Sequence, residues 1–362
     1  MKRRDFAIGF GATLVATPLI GRAADLTLTA GKGDFSAARK GWDLAASGAV
    51  LELGRTDALV ILQDGRLVFE RYGPDHGPVV RHVSWSMAKS FTHALVGIGV
   101  AQGRVDLDRP LKSVVHADPK LSLRALLTLT DGLDWDEGSY APTDSDATKM
   151  LYGPGRFDGA AYVAAKRQVR APGTKFNYST GAFQLAAAEL ALALFPHARS
   201  AEARRTGMAQ WIAANLFRPL GMSTALAEFD AAGTFMGGSL VYACARDFAR
   251  FGELYRLDGV WAGHRILPAG WVKFARTPKV EPTYGAGFWL ETKPGANPPS
   301  LMNGAGPADT FSAQGHEGQV IAVVPSKGLI VVRLGLMQDD SDRSWQALGA
   351  WLAPIITALP DG

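Results

Sequence analysis

The sequence predicts an α+β fold: an antiparallel sheet flanked by helices, with a helical subdomain inserted over about residues 111–234. Three observations carry this reading. Strand-like hairpins stand near both ends of the chain, the middle reads mainly as helix, and one more helical pattern follows the last hairpin. Strands at both ends with helices between and after them favour one sheet assembled from N- and C-terminal segments.

Taken in order, residues 35–47 read as a helix leading into the first hairpin. Residues 58–62 and 66–70 are short apolar runs joined around Asp64-Gly65, a strong type I′ turn signal. Residues 79–83 are strand-like, and 86–100 form a mostly apolar helical run. In the middle, Ser122 can cap a helix over 123–129, while 162–169, 180–194 and 210–216 are helical runs, the last closed by Pro219 and Gly221. Pro and Gly cluster at 140–142 and 152–155, framing a loop that carries Asp144 and Asp146. The closing hairpin pairs 319–324 with 329–336 across Pro325-Ser326-Lys327-Gly328, and a helical pattern fills 341–357.

The first 23 residues read as a targeting segment. Lys2-Arg3-Arg4-Asp5-Phe6 precedes an apolar stretch over 7–20, and Gly21 and Ala23 are the small residues that signal peptidase prefers. The stretch is short for a membrane span. Arg3-Arg4 followed by Phe6 resembles a twin-arginine signal, the alternative being a general secretory signal with two chance arginines. Either way the expected mature chain is 24–362, exported to the periplasm, with no stable membrane span. Of the formal net charge of +4, residues 1–23 contribute +3, so the remainder is close to neutral and nucleic acid is a poor partner. Cys244 is the only cysteine; it cannot form an internal disulfide, and its setting among small and apolar residues reads as a buried thiol.

Chemistry first shows at Ser86-Met87-Ala88-Lys89. Residues three apart on a helix share a face, so an amine at 89 can reach the hydroxyl at 86. A serine at a helix start also meets unpaired N–H groups and the positive end of the helix dipole. The hydroxyl needs a base, and a lysine is one only where burial brings its pKa down toward neutrality. On its own Ser-x-x-Lys also describes a capping serine followed by a solvated lysine. Two further segments strengthen the catalytic reading. Tyr178, within Phe176-Asn177-Tyr178-Ser179-Thr180, can relay a proton between Lys89, Ser86 and a leaving group. Gln314-Gly315-His316-Glu317-Gly318-Gln319 is glycine-rich, and a backbone N–H there can complete an oxyanion hole with that of Ser86.

Ser86-Met87-Ala88-Lys89, Tyr178-Ser179-Thr180 and His316-Glu317-Gly318 together resemble the three motifs of the penicillin-recognising serine hydrolases, in the class C β-lactamase-like branch that includes esterases, D-aminopeptidases and 6-aminohexanoate-dimer hydrolases. Similar stretches occur at 126–133, 216–222 and 245–252, and the resemblance runs from about residue 50 to 350. It implies a β-lactamase/DD-peptidase-like fold and an acyl-enzyme on Ser86. Lys89 is then the base, Tyr178 assists proton transfer, and the N–H groups of Ser86 and Gln319 hold the oxyanion. Thr180, His316, Glu317 and Gly318 would bind substrate, a small amide or ester, and no metal or cofactor is required. Glu317 stands where many relatives carry a threonine, and Thr180 where class C β-lactamases carry an asparagine; both departures weigh against efficient β-lactam turnover. The segment 135–146 is similar to the acidic loop of 6-aminohexanoate-dimer hydrolases. The alternatives are a true β-lactamase and a sensor that β-lactams acylate without turnover. The seven histidines form no His-x-His or His-Glu-x-x-His spacing, and no Gly-x-Ser-x-Gly elbow occurs.

Overall fold

The computed structural model describes residues 26–114, 118–138 and 144–361. The proposed targeting segment and Tyr140 therefore lie outside the described residues. Asp64 and Gly65 both adopt positive φ, 48° and 75°, which makes the expected type I′ connection between strands β1 (Arg55–Gln63) and β2 (Arg66–Tyr72). The later strands are β3 (His82–Val83), β4 (Leu226–Ala227), β5 (Val241–Ala243), β6 (Val260–Trp261), β7 (His264–Arg265), β8 (Trp289–Leu290), β9 (Phe311–Gly315), β10 (Gln319–Val324) and β11 (Leu329–Leu336). Six of them form one antiparallel sheet in the order β2-β1-β11-β10-β9-β8, so the two ends of the chain do share a sheet.

Helices cover both faces of that sheet. α1 (Ser36–Ala46) and the last helix α11 (Asp342–Thr357) pack on one side, where Leu59, Ile61, Val320, Val331 and Trp351 share a core. On the other side Val60, Leu62, Ile321, Val332 and Phe251 join the larger core. The alternation of residues 59 to 62 between two buried faces is why the strands read as continuous apolar runs rather than alternating ones. Between these elements run α2 (Ala88–Ala101), α3 (Leu123–Leu127), α4 (Asp146–Leu151), α5 (Gly159–Ala164), α6 (Thr180–Leu194), α7 (Ala201–Ile212), α8 (Arg218–Leu220), α9 (Ala245–Arg256) and α10 (Trp271–Ala275). Helix α9 lies on the sheet, while α3 and α5 pack on α6, which in turn packs on α2.

Some boundaries differ from expectation for local reasons. The helical run expected over 162–169 begins earlier, at Gly159, because the Asp158 side chain accepts a hydrogen bond from Ala161 N. It ends at Ala164. The run expected over 210–216 is the tail of α7, which passes into a π-helical turn at Ala213–Phe217. Ser122 precedes α3 without a side-chain cap bond, whereas Ser179 caps α6 through Ala182 N. Cys244 is buried.

Candidate active site

The nucleophile candidate sits on a tight turn. Trp85–Met87 form a short 3₁₀ turn that runs into α2, and Trp85 holds φ at 45°, an unfavourable value for a bulky side chain. Its indole N–H donates to Glu317 Oε2 at 3.2 Å, and its ring meets that of His316 edge-on at 5.3 Å. The strained residue before Ser86 is thus held from the facing strand turn. Ser86 is 8% exposed and lies on the wall of a cleft of about 1080 Å³.

Lys89 is 2% exposed, and its Nζ lies 2.9 Å from each of Ser86 Oγ, Thr180 Oγ1 and the Gly238 carbonyl oxygen. Burial brings its pKa down to about 8; the nearby Glu137 carboxylate opposes this. The hydrogen-bond directions decide what the amine can do. A carbonyl can only accept, so Gly238 takes one N–H. The Thr180 hydroxyl donates its own proton to Glu137, so toward Lys89 it too can only accept. A neutral amine has two N–H bonds and one lone pair. With both N–H bonds committed, the lone pair is left facing the Ser86 hydroxyl.

Tyr178 completes the group. Its ring centroid is 4.8 Å from Lys89 Nζ, and the ring stacks on Trp289 at 5.5 Å. Burial, and then the charge of Glu137, hold the phenol far above its ordinary pKa; a hydrogen bond to Ser86 acts in the other direction. It is a neutral phenol at working pH, able to donate or relay a proton but not to serve as an anionic base.

Of the residues expected at the site, Thr180, Glu317, Gly318 and Gln319 do not line the cleft. Thr180 is 1% exposed and bonded to Lys89 and Glu137, behind the cleft wall. Glu317, at φ 61°, turns its carboxylate to the Trp85 indole rather than into the cleft. Gln319 is buried and uses its carboxamide on Gly335, donating to the carbonyl at 2.6 Å and accepting from N–H at 3.1 Å. Gly318 and Gln319 do not line the cleft; Gln314, Gly315 and His316 do. Gly315 is the residue in close approach: a Cβ there would meet Ser84 O at 2.3 Å and Ser86 N at 3.2 Å. His316 is hydrogen-bonded to Asp340 through Nδ1. The motif's strand end, not its last glycine, adjoins Ser86.

Glu137 was visible only as part of an acidic segment. The structure makes it the anchor of Thr180, whose N–H also donates to Glu137 Oε2 at 2.7 Å, and Trp135 Nε1 donates to the same oxygen at 2.6 Å. Replacing Thr180 by valine keeps the shape and removes the acceptor that orients Lys89. The expected result is a kcat reduced about 10- to 100-fold, with serine at 180 restoring most of it, measured by steady-state kinetics.

Residues 52–336 match the family model described as Beta-lactamase, and the chain belongs to that family. The family match makes the chain a serine hydrolase of the kind that acts on amide or ester bonds. A curated relative, the 6-aminohexanoate-dimer hydrolase of Paenarthrobacter ureafaciens, is 24% identical over 316 residues, covering 82% of this chain and 77% of its own. Among solved structures, a Bacillus anthracis protein proposed to be a 6-aminohexanoate-dimer hydrolase superimposes with a TM-score of 0.67 at 19% identity, over 86% of this chain and 82% of that one. A family VIII carboxylesterase gives 0.61 at 14% identity, over 92% and 99%. At these identities the structures establish likeness of fold.

Proposed function

We propose that this chain hydrolyses a small amide or ester through an acyl-enzyme on Ser86, and that the substrate carries a positive charge. The observation that carries the mechanism is the wiring of Lys89, whose lone pair is left for Ser86 by the acceptors at Thr180 and Gly238. In the forward step Ser86 Oγ bonds to the carbonyl carbon while Lys89 takes its proton. The oxyanion is held by the N–H of Ser86 and, in place of Gln319, by the N–H of His316 at the Gly315 approach. The bond to the leaving amine or alcohol then breaks, and Tyr178 delivers the proton from Lys89 to the leaving group. Water attacks the ester and returns Ser86 to its hydroxyl form.

The charge preference comes from the cleft. Among the described residues that line it are Glu137, Glu281, Asp339, Asp340 and Asp342, with no lysine or arginine. An ammonium group on the substrate is attracted to that wall, and the carboxylate of a β-lactam is repelled. The relative that hydrolyses a 6-aminohexanoate dimer fits the same preference. Export remains part of the proposal, resting on the basic and apolar pattern of residues 1–23. No helix among the described residues is long and apolar enough to cross a membrane.

The test compares 6-aminohexanoyl p-nitroanilide, its N-acetylated counterpart and nitrocefin, with intact mass followed alongside product release. The free amine is expected to give a kcat/KM about 10-fold above the acetylated compound, a difference of about 1.4 kcal/mol, with a transient acyl adduct on Ser86. Equal rates for both anilides would remove the charge preference. A lasting adduct with nitrocefin and no turnover of any compound would turn the reading into that of a β-lactam sensor.

A further inference from the structure

A second cluster of reactive side chains stands apart from Ser86 and Lys89. Asp57 lies at the register shift of β1, where the strand bulges between Thr56 and Ala58. A bulge re-aims a side chain out of the sheet's alternation. Here it accompanies a buried carboxylate facing the segment between β2 and β3, which carries His76, and β3 itself, which carries His82. One donor atom from each of the three side chains lies within 4.8 Å of the others.

The hydrogen bonds around these groups leave their lone pairs facing one another. His76 Nδ1 is 2.8 Å from the Pro74 carbonyl oxygen, which can only accept, so that nitrogen carries the proton. The lone pair is then on Nε2, 3.5 Å from Asp57 Oδ2, itself an acceptor. His82 Nε2 is buried and has no hydrogen-bond partner. The His76 and His82 rings stack at 5.1 Å. Arg55 holds both oxygens of Asp57, donating from Nε to Oδ1 at 2.5 Å and from Nη2 to Oδ2 at 3.2 Å, and Oδ2 keeps a second lone pair toward His76. Acceptors brought together in this way without a proton between them are stabilised by a cation, and two imidazoles with one carboxylate suit zinc.

We propose that Asp57, His76 and His82 form a Zn²⁺ site that clamps the segment before the nucleophile turn to strand β1. The His76 proton donated to a backbone carbonyl is the outer bond that fixes the ring of a metal-binding histidine. The Asp57–His76 separation matches the ligand–ligand edge of a tetrahedral zinc site, roughly 3.3 Å for bonds of about 2.0–2.1 Å. His82 closes the third position by a small side-chain movement, and water fills the fourth. The competing occupant of the same gap is a proton on His76 Nε2. The charges that oppose the metal are the guanidinium of Arg55, which is 59% exposed, and that of the buried Arg333, which also acts on Asp57.

The test uses the full-length mature protein without a histidine tag, stripped with chelator and titrated with Zn²⁺ by calorimetry and with Co²⁺ by visible absorption. One ion per chain is expected, with micromolar or tighter affinity. His76→Asn and His82→Asn should each weaken binding about 100-fold or more, while Arg55→Gln should tighten it several-fold. The stripped variants are checked for wild-type melting, and His76→Asn, on a connecting segment, serves where His82→Asn does not fold. Absence of saturable binding, or binding that survives in both histidine variants, overturns the proposal. So does binding lost instead in His316→Asn, which would place the ion in the cleft.

Discussion

Lys89→Met is expected to lower kcat/KM at pH 8 by at least about 10³-fold while leaving the protein folded, because it removes the one base whose lone pair faces Ser86. Ser86→Ala is expected to cost as much or more, since it removes the proposed nucleophile, whose Oγ lies 2.9 Å from Lys89 Nζ. The two residues act as a unit, so the double variant should be no slower than the worse single one. Near-additive losses would mean that Lys89 serves some other step. The pH profile gives an independent reading. As the proposed base Lys89 acts as the neutral amine, and burial brings its pKa down to about 8, so activity is expected to rise with pH toward a plateau above that value. At pH 6 the wild type should run roughly 100-fold below its plateau, one factor of ten per pH unit. A profile flat from pH 6 to 9 would leave Lys89 uncharged throughout or uninvolved. The same pKa acts on stability with a definite sign. Between about 8 and the ordinary lysine value of 10.5 the unfolded chain binds the proton that the folded chain has lost, so stability rises with pH across that window.

The part of this site that was legible in the sequence is the part that local geometry decides. Ser86 and Lys89 are one helical turn apart, and a spacing of three brings them together whatever the rest of the chain does. Ser179 and Tyr178 sit at a helix start that the run of helix formers announces. The strand pairs β1–β2 and β10–β11 were equally plain, since apolar runs bounded by Asp64-Gly65 and Pro325-Ser326-Lys327-Gly328 leave few other readings. What orients the lysine was not legible. Thr180 and Gly238 are 91 and 149 residues from Lys89, and only the packed fold brings them to one nitrogen. The third motif shows the same limit in finer detail. A glycine-rich run does not say which glycine adjoins the nucleophile. That depends on β9 ending at Gly315 and on the turn at Glu317, neither of which has a signature beyond the glycines themselves. The cluster at Asp57 is invisible for a related reason: a bulge re-aims the side chain, and no spacing between 57, 76 and 82 encodes it.

Arg333 is expected to be the most costly residue to replace outside the cleft. Strand β11 buries it completely, and its guanidinium spends all five N–H bonds inside the protein. Nη1 donates to the carbonyls of Glu317 and Gly318, each at 2.9 Å; Nη2 donates to those of Leu53 and Arg55; Nε donates to Thr56 Oγ1 at 3.3 Å. Burial lowers its pKa to about 10, opposed by Asp57 and Glu317, so it remains charged at neutral pH. Arg333 therefore fastens the turn that follows Gly315 and His316 to the start of β1 on the far side of β11. Arg333→Leu takes a donor from four carbonyls, of which that of Glu317 keeps partners in Met337 N–H and Gln319 Nε2, and costs about 3–5 kcal/mol, lowering the melting temperature by roughly 4–7 °C. Arg333→Lys keeps a charge but cannot reach both pairs of carbonyls, and should recover only part of that loss. Because the turn carries His316 and holds Trp85 through Glu317, kcat should fall about 10-fold in either variant at a temperature where both are folded, with KM changing less. Wild-type kcat in a folded but less stable Arg333→Lys protein would confine the residue to holding strands together, and would mean that the nucleophile turn keeps its shape without support from behind the sheet.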